Sequence, residues 1–156
     1  MAQVLSEIVE VCVFRRAKRK TEYLLLRRTA SDNLYGGIWQ IVTGTLNPNE
    51  SSLDAARREL SEETGVQPKR FWKVPFVDAF LDPKKDAIQL APVFAAEVPA
   101  SASVKLSDEH QDLQWLTYAA AKHRLVWPGQ REALAIVQKY IVGVESAGEL
   151  LEMSNS

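Results

Sequence analysis

Four charged residues close together in the chain carry its strongest chemical signal. Arg58, Glu59, Glu62 and Glu63 follow a turn-rich segment, and Gly65 lies two positions after Glu63. Each residue of a helix advances about 100° around the axis, so the three glutamates fall on one arc of a helix. Like charges four residues apart repel each other, as Glu59 and Glu63 do. The cluster therefore needs a counter-charge, and Mg²⁺ with oxygen ligands supplies it where the substrate carries phosphates.

The helix that carries these residues has clear signals for its core-facing side and for both ends. Apolar or small residues recur three or four positions apart, the pattern of a helix face pressed onto a core. They are Leu53, Ala56, Leu60 and Thr64. Ser51 with Asp54 three residues later predicts the helix start, and Gly65 predicts a left-handed end. The glutamate arc lies directly beside this stripe, so part of it is predicted to border the core.

The surrounding segments predict a single α/β domain with a mixed sheet. Apolar and β-branched runs predict strands at 8–14, 23–28, 38–42, 70–81, 88–98 and 112–116. A turn-rich segment covers 31–37, a short helix is predicted at 117–123, and a terminal helix begins near Pro128. The domain is predicted to cover 1–145, with helices on the faces of the sheet. Residues 146–156 are small and polar and are predicted to fray.

Composition and charge exclude several classes of function. The chain has 156 residues, a formal net charge of −1 and one cysteine, Cys12, within an apolar run. A near-zero charge without long single-sign runs gives no bulk attraction to nucleic acid or to a membrane surface. No apolar run approaches the length of a membrane span, and no signal peptide is evident. We therefore expect a cytoplasmic protein with neither nucleic acid nor membrane as a partner.

Two further pairs of residues could contact a phosphorylated ligand. Arg27 and Arg28 end a strand that precedes the glycine loop around Gly44. A guanidinium at that place could meet phosphate oxygens. The alternative is an ordinary surface position. Trp39 and Gln40 precede the same loop, where they could stack on or hydrogen-bond a base-like ring, or else belong to the core. The sequence predicts Arg27, Trp39 and Gln40 as substrate-binding residues.

The spacing of the helix and its preceding loop matches a known motif. Five residues separate Gly44 from Glu50, seven separate Glu50 from Arg58, and the run ends at Gly65-Val66. This pattern resembles the Nudix box at nine fixed or restricted positions. The resemblance continues outside the box, in Trp39-Gln40, Val42-Thr43-Gly44, Glu109-His110, Trp115-Leu116 and the stretch after Trp127. Those segments resemble the Nudix branch that includes dihydroneopterin triphosphate diphosphatase.

The resemblance implies a fold and a site. Nudix proteins share an α/β/α sandwich with a central mixed sheet, and they hydrolyse a nucleoside diphosphate linked to another moiety. By this resemblance Glu59, Glu62 and Glu63 would hold Mg²⁺ or Mn²⁺, and Arg58 would orient a carboxylate of the helix. Gly44 would let the backbone approach the metal and the diphosphate. Glu50 would brace the loop against the helix.

Two positions outside the helix complete the implied site. Many relatives carry glycine where this chain has Thr43, and the Thr43 carbonyl can still serve as a metal ligand because the bond does not involve the side chain. Glu109 occupies the place of a downstream glutamate that serves as metal ligand or general base in this family, and its alternative role is a surface loop residue. His110 is predicted to pack or hydrogen-bond rather than to catalyse.

The expected reaction is metal-dependent cleavage of a nucleoside-triphosphate-type substrate to a monophosphate and pyrophosphate. Dihydroneopterin triphosphate or a (d)NTP is the leading candidate for this small-molecule partner. The alternatives are a dinucleoside polyphosphate or nucleotide-sugar hydrolase, and a Nudix-like regulator that binds nucleotide without cleaving it. The protein is expected to be a monomer or a homodimer, since the apolar pair 70–98 could form a dimer edge.

Overall fold

A mixed β-sheet with helices on both faces organises the chain. The computed structural model describes residues 1–32, 35–143 and 145–154. Its strands are β1 (Gln3–Leu5), β2 (Ile8–Ala17), β3 (Lys20–Arg28), β4 (Trp39–Gln40), β5 (Val42–Thr45), β6 (Arg70–Asp82), β7 (Ala87–Glu97), β8 (His110–Leu116) and β9 (Glu152–Met153). Its helices are α1 (Ser52–Thr64), α2 (Tyr118–Arg124), α3 (Pro128–Val137), which continues as a π-helical turn (Gln138–Val142), and α4 (Glu145–Leu151).

The strands form one sheet whose centre is the β2–β7 pair. The main order is β4-β3-β2-β7-β6-β9, while β1 pairs with β7, β5 with β2 and β8 with β3. Strands β2 and β7 run parallel, whereas β2 pairs antiparallel with both β3 and β5. The parallel and antiparallel pairs together make the sheet mixed, as predicted.

Alternation along β2 divides the interior into two cores. Val9, Val11 and Val13 belong to the core that α1 covers, and Cys12 and Phe14 belong to the core that α3 covers. Successive strand residues point to opposite faces, so one apolar strand serves both layers. The predicted α/β/α sandwich is therefore confirmed. Within the described residues, no helix is both long and apolar enough to cross a membrane.

Helix α1 begins and ends where its sequence signals predict. The Ser51 side chain accepts a hydrogen bond from the backbone N–H of Asp54, at 3.1 Å. At the other end, Gly65 has φ +68°, and its N–H donates to the Ser61 carbonyl at 2.8 Å. Leu60 and Thr64 are buried on the predicted stripe, and Leu60 belongs to the core between α1 and the sheet. These contacts fix the rotation of α1 and hence the direction of its glutamates.

The strand predicted at 38–42 is interrupted at Ile41. Strand β4 pairs with β3, whereas β5 pairs with β2. The Ile41 N–H donates instead to the side-chain oxygen of Gln130, at 3.3 Å. This break brings the N-terminal part of α3 against the chain that leads into the glycine loop. Of the turn predicted at 31–37, positions 33 and 34 lie outside the described residues.

The C-terminal segment differs from the prediction of a frayed tail. Helix α4 and strand β9 occupy 145–153, and β9 pairs with β6. The Arg70 guanidinium lies 2.6 Å from the Glu152 carboxylate, and Arg57 donates to the Ser154 carbonyl at 2.9 Å. Ladder hydrogen bonds and these polar contacts anchor a segment whose composition alone has few apolar anchors. The remaining predicted tail residues, 155–156, lie outside the described residues.

Candidate active site

A single cavity connects the acidic helix with the opposite side of the sheet. Its volume is about 810 Å³. Its walls come from β2, β4, β5, β6, α1, the loop before β8 and the start of α3. The residues that bear chemical groups into it include Glu10, Arg28, Gln40, Thr43, Arg58, Glu59, Asp78, Glu109 and Gln130. Residues distant in sequence thus share one solvent-accessible space.

The Arg58 guanidinium links the glycine loop to the acidic helix. It forms a two-point contact with Glu50 at 2.8 and 2.9 Å, and it lies 2.8 Å from Glu59 Oε1 and 3.1 Å from Glu62 Oε2. It also donates to the Thr45 carbonyl at 2.9 Å. The hydrogen bond from Arg58 is the main cause that lowers the pKa of Glu50 to about 2. Arg58 therefore holds two helix carboxylates and the loop in fixed relation.

Replacing Arg58 by Ala is expected to lower the free energy of unfolding by about 2 kcal/mol, because the change leaves charged hydrogen-bond partners unmet. Arg58→Lys keeps the charge but loses the planar fork that contacts Glu50 at two points. Thermal unfolding of both variants, with turnover measured in parallel, checks this. We expect Lys to restore part of the stability and little of the activity. Full activity in Arg58→Lys would contradict a positioning role for the fork.

Glu63 is the most deeply buried of the helix glutamates. It is 1% exposed, and its Oε2 accepts a hydrogen bond from the Thr43 N–H at 3.3 Å. Its Oε1 has no hydrogen-bond partner among the described residues. Burial first, and then repulsion from Glu59 and Glu109, raise the pKa of Glu63 to about 9. Glu63 is thus a buried carboxyl group that lacks a positive partner.

The glycine loop approaches Glu59 more closely than a side chain permits. A Cβ placed on Gly44 would lie 2.0 Å from Glu59 Cδ and 2.3 Å from Cγ. Real Cβ atoms do not make such contacts, so any other residue at position 44 would require Glu59 or the loop to move. Burial raises the pKa of Glu59, and Arg58 opposes the shift. Gly44 therefore lets the backbone lie directly against the Glu59 carboxylate. The approach of this backbone to a metal and a diphosphate, which the resemblance implies, stays a prediction.

Glu109 and His110 close the cluster from the loop before β8. One potential ligand atom from each of Glu63, Glu109 and His110 lies within 4.8 Å of the others. Gln40 Nε2 lies 3.2 Å from His110 Nε2. His110 Nδ1 lies 3.9 Å from Glu63 Oε1, which is beyond hydrogen-bonding distance. His110 is buried and its pKa is lowered to about 4, so it is neutral at pH 7.

The oxygen atoms of this cluster fit a divalent cation. Glu59, Glu63 and Glu109 bring carboxylates together, with an unpartnered Glu63 oxygen among them. A hard cation such as Mg²⁺ prefers oxygen ligands and would offset the repulsion that raises the pKa of Glu63. His110 offers a ring nitrogen to the same group, and its Nδ1 has no hydrogen-bond partner among the described residues. Glu62 lies at the exposed border, with a side chain 58% exposed.

The predicted substrate contacts of Arg27 and Trp39 are not supported by their positions. Neither is among the described residues that line the cavity. Arg27 Nε donates to the Gly37 carbonyl at 3.0 Å, and the Trp39 ring packs under the Arg124 guanidinium at 5.2 Å. Adjacent strand residues point to opposite faces, so Arg28 and Gln40 face the cavity instead. Gln40 is the one member of the predicted set of three that lines it.

Three buried polar residues that line the cavity were not predicted from the sequence. Glu10, Asp78 and Gln130 are 2%, 4% and 3% exposed. Burial raises the pKa of both Glu10 and Asp78. The available signal was an acidic residue at the centre of an apolar strand, in IVEVCVF for Glu10 and in FVDAF for Asp78. An isolated charge in such a run is costly unless it has partners, and so marks a site.

The fold and the acidic helix define the Nudix class, and a comparison with family models agrees. The model described as NUDIX domain matches residues 7–136. The chain therefore belongs to the NUDIX domain family, which confirms the predicted family. The finer assignment to a branch of the family stays a prediction.

Relatives of this chain carry different names. A protein of Myxococcus xanthus named Octanoyltransferase is 36% identical over 133 residues, which cover 81% of this chain and 35% of that protein. The chain thus spans about a third of the length of this relative. Nucleoside triphosphatase NudI of Escherichia coli strain K12 is 30% identical over 101 residues, 60% of this chain and 72% of that protein.

A solved structure extends the likeness to the fold. The structure of the E. coli dihydroneopterin triphosphate pyrophosphohydrolase superposes with a TM-score of 0.69 at 17% identity. The superposition covers 88% of this chain and 99% of that one. At this identity the comparison supports a shared fold and does not extend to a shared substrate.

Proposed function

We propose that this protein is a metal-dependent diphosphohydrolase that cleaves a nucleoside-triphosphate-type substrate to a monophosphate and pyrophosphate. The observation that carries the proposal is the buried Glu63 carboxyl group amid Glu59 and Glu109, beside a cavity of about 810 Å³. Its Oε1 has no hydrogen-bond partner among the described residues. A cluster that repels itself is costly to the fold, and a cation-dependent reaction explains its presence. A protein that only binds nucleotide has no need of it.

Cleaving a phosphoanhydride requires neutralised phosphate oxygens and a water held in line with the leaving group. Glu59, Glu62, Glu63 and the Thr43 carbonyl would hold a divalent cation, which would supply positive charge and lower the pKa of the attacking water. Arg58 holds Glu59 and Glu62 in place.

Glu109 and Arg28, which both line the cavity, are assigned the roles of proton acceptor and phosphate contact. Glu109 can accept the proton of the attacking water, since it borders the cavity and lies beside Glu63. Arg28 lines the same cavity as the carboxylates, although its guanidinium also pairs with Asp32. We assign Arg28 to the phosphate chain, because a guanidinium fork matches phosphate oxygens.

The substrate class draws support from the named relatives. Both nucleoside triphosphatase NudI and the dihydroneopterin triphosphate pyrophosphohydrolase are named for triphosphate substrates. Octanoyl transfer is not carried over, because this chain matches only 35% of the protein with that name. We therefore place dihydroneopterin triphosphate and the (d)NTPs before dinucleoside polyphosphates and nucleotide sugars.

Turnover by the purified protein with and without Mg²⁺ tests the proposal. The panel contains dihydroneopterin triphosphate, the dNTPs, diadenosine tetraphosphate and ADP-ribose, with pyrophosphate and phosphate measured separately. We expect pyrophosphate release from a triphosphate, abolished by EDTA and restored by Mg²⁺ or Mn²⁺. Nucleotide binding without turnover of any substrate would favour the regulator. If diadenosine tetraphosphate or ADP-ribose were cleaved faster than every triphosphate, the proposed triphosphate class of substrate would be wrong.

A further inference from the structure

The floor of the cavity away from the metal cluster is built from Glu10, Asp78 and Gln130. Gln130 has a fixed orientation, because its Oε1 accepts the Ile41 N–H at 3.3 Å. Its Nε2 therefore faces the acidic side, where it lies 3.2 Å from Glu10 Oε2 and 3.4 Å from Thr43 Oγ1. All three residues line the cavity and are at least nine-tenths buried. This is a preformed polar floor.

Hydrogen-bond acceptors outnumber donors on this floor. Burial raises the pKa of both Glu10 and Asp78, and each carboxyl group affects the other. Among the described residues, Glu10 Oε1 is buried and has no hydrogen-bond partner. Gln130 supplies one N–H to Glu10, and the Ala79 backbone N–H supplies one to Asp78. Two carboxyl groups offer about four acceptor sites each, which leaves sites unmet. Among the described residues, no Lys or Arg forms an ion pair with Glu10 or Asp78.

The walls above this floor are aromatic. Tyr35, Phe80 and Trp127 all line the cavity, and Tyr35 packs edge-on against Trp127 with ring centroids 5.1 Å apart. Phe80 and Trp127 are each 37% exposed, a large exposure for such side chains. Flat apolar walls around a few fixed polar groups are typical of pockets for planar ligands. The walls and floor together fit a ring that stacks and donates hydrogen bonds.

We propose that the Glu10–Asp78–Gln130 floor binds the edge of a heteroaromatic ring with adjacent ring N–H and amino donors, the edge that guanine and pterin rings share. This inference rests on the proposed function, because it places the ring of the same triphosphate whose phosphates face Glu63. Carboxylates accept such N–H pairs at two points. A ring that lacks the amino group leaves an acceptor unmet and binds more weakly.

Comparing dGTP with dITP tests this subsite, because the two differ only by the exocyclic amino group. We expect kcat/KM to favour dGTP by about tenfold, the scale of one good bidentate contact. Glu10→Gln and Asp78→Asn replace acceptors by amides of the same shape and are expected to reduce the ratio severalfold. Equal kcat/KM for dGTP and dITP would overturn the inference. Dihydroneopterin triphosphate carries the same edge, so comparing it with dGTP distinguishes a pterin from a purine ligand.

Two variants control for indirect effects. Glu97→Gln removes another buried carboxylate, 5% exposed and outside the cavity lining, and should keep the wild-type ratio. Gly129→Ala keeps Glu10 and Asp78 in the sequence but puts a Cβ 1.7 Å from the present position of Asp78 Oδ1. It must displace Asp78 and should reduce the ratio as Asp78→Asn does. An unchanged ratio in Gly129→Ala and both amide variants would overturn the assignment of the floor.

Binding of the monophosphates dGMP and dIMP, measured by calorimetry, separates this inference from the proposed function. Tighter binding of dGMP without turnover of any triphosphate would support the subsite and refute the diphosphohydrolase. Mg²⁺-dependent turnover with equal binding of dGMP and dIMP would refute the subsite and leave the reaction standing. The expected result is turnover together with tighter binding of dGMP, weakened in Asp78→Asn and retained in Glu97→Gln.

Discussion

Replacing Glu63 by Gln is expected to lower kcat by about 100-fold or more. A loss of this size is at least the largest that is typical of groups supporting a metal ligand, and Glu63 is itself a proposed ligand. The amide keeps the shape and can still accept the Thr43 N–H that Glu63 Oε2 accepts at 3.3 Å. It removes the negative charge from the centre of the cluster, so a divalent cation is held less tightly. Steady-state turnover at several Mg²⁺ concentrations measures this effect.

Glu132→Gln is the matched control for this change. Glu132 is exposed on α3 and is not among the described residues that line the cavity. Its variant should have wild-type kcat and the wild-type dependence on Mg²⁺. A Glu63→Gln protein with unchanged kcat would remove Glu63 from the reaction and, with it, the assignment of the metal site to α1.

Although Glu63→Gln is expected to lower kcat, it is expected to raise the stability of the cation-free protein relative to wild type. The pKa of Glu63 in the folded state is about 9, above its ordinary value of 4.5. A raised folded-state pKa contributes stability that is present below the ordinary value and is lost as the pH rises toward 9. We therefore expect the Tm of wild type in EDTA to fall more steeply between pH 5 and pH 9 than the Tm of Glu63→Gln.

Thermal unfolding in EDTA, with and without excess Mg²⁺, measures this difference. Other buried acids change both proteins alike, so the difference between the two curves isolates Glu63. Mg²⁺ should raise the Tm of wild type more at pH 8 than at pH 6, because binding requires the deprotonated carboxylate. Parallel curves for the two proteins would show that Glu63 is not the buried acid described here.

Gly44→Ala is expected to abolish most activity through a single added methyl group. The new Cβ would lie 2.0 Å from Glu59 Cδ and 2.4 Å from Oε1, so Glu59 or the loop must move. A misplacement of about 1 Å at a catalytic group can cost about 100-fold in rate. Arg58 also contacts Glu59, so the displacement should spread to the loop that Arg58 holds.

Gly148→Ala is the control for the general effect of adding a methyl group at glycine. A Cβ there would have its nearest neighbour at 3.4 Å, an ordinary contact, and helix α4 favours alanine. This variant should keep the wild-type kcat and Tm. If Gly44→Ala turned over substrate as fast as Gly148→Ala, the close approach of the loop to Glu59 would have no catalytic role.

Local signals in the sequence were sufficient to predict helix α1 and the relative positions of its charged residues. The Ser51 cap, the Gly65 end and the pairing of Arg58 with Glu62 all depend on residues within one helix. Helical geometry relates such residues without reference to the rest of the fold. Apolar runs and one amphipathic helix likewise predicted an α/β domain with a mixed sheet, whereas the α/β/α sandwich was implied by the resemblance to the Nudix family.

Contacts between distant segments were beyond the reach of such reasoning. Glu10 and Gln130 are 120 positions apart and meet only because α3 packs against the break at Ile41. The face of the sheet to which each strand residue points was not predictable either, because a shift of one residue decides whether Arg27 or Arg28 faces the cavity. The anchored tail likewise depends on pairing between β9 and β6.

Binding of Mn²⁺, followed by electron paramagnetic resonance of the free ion, tests whether the α1 carboxylates hold the cation on which phosphoanhydride cleavage depends. We expect wild type and Glu97→Gln to remove Mn²⁺ from solution equally, and Glu63→Gln and Gly44→Ala to remove much less at the same protein concentration. Equal Mn²⁺ binding by wild type and Glu63→Gln would contradict the account.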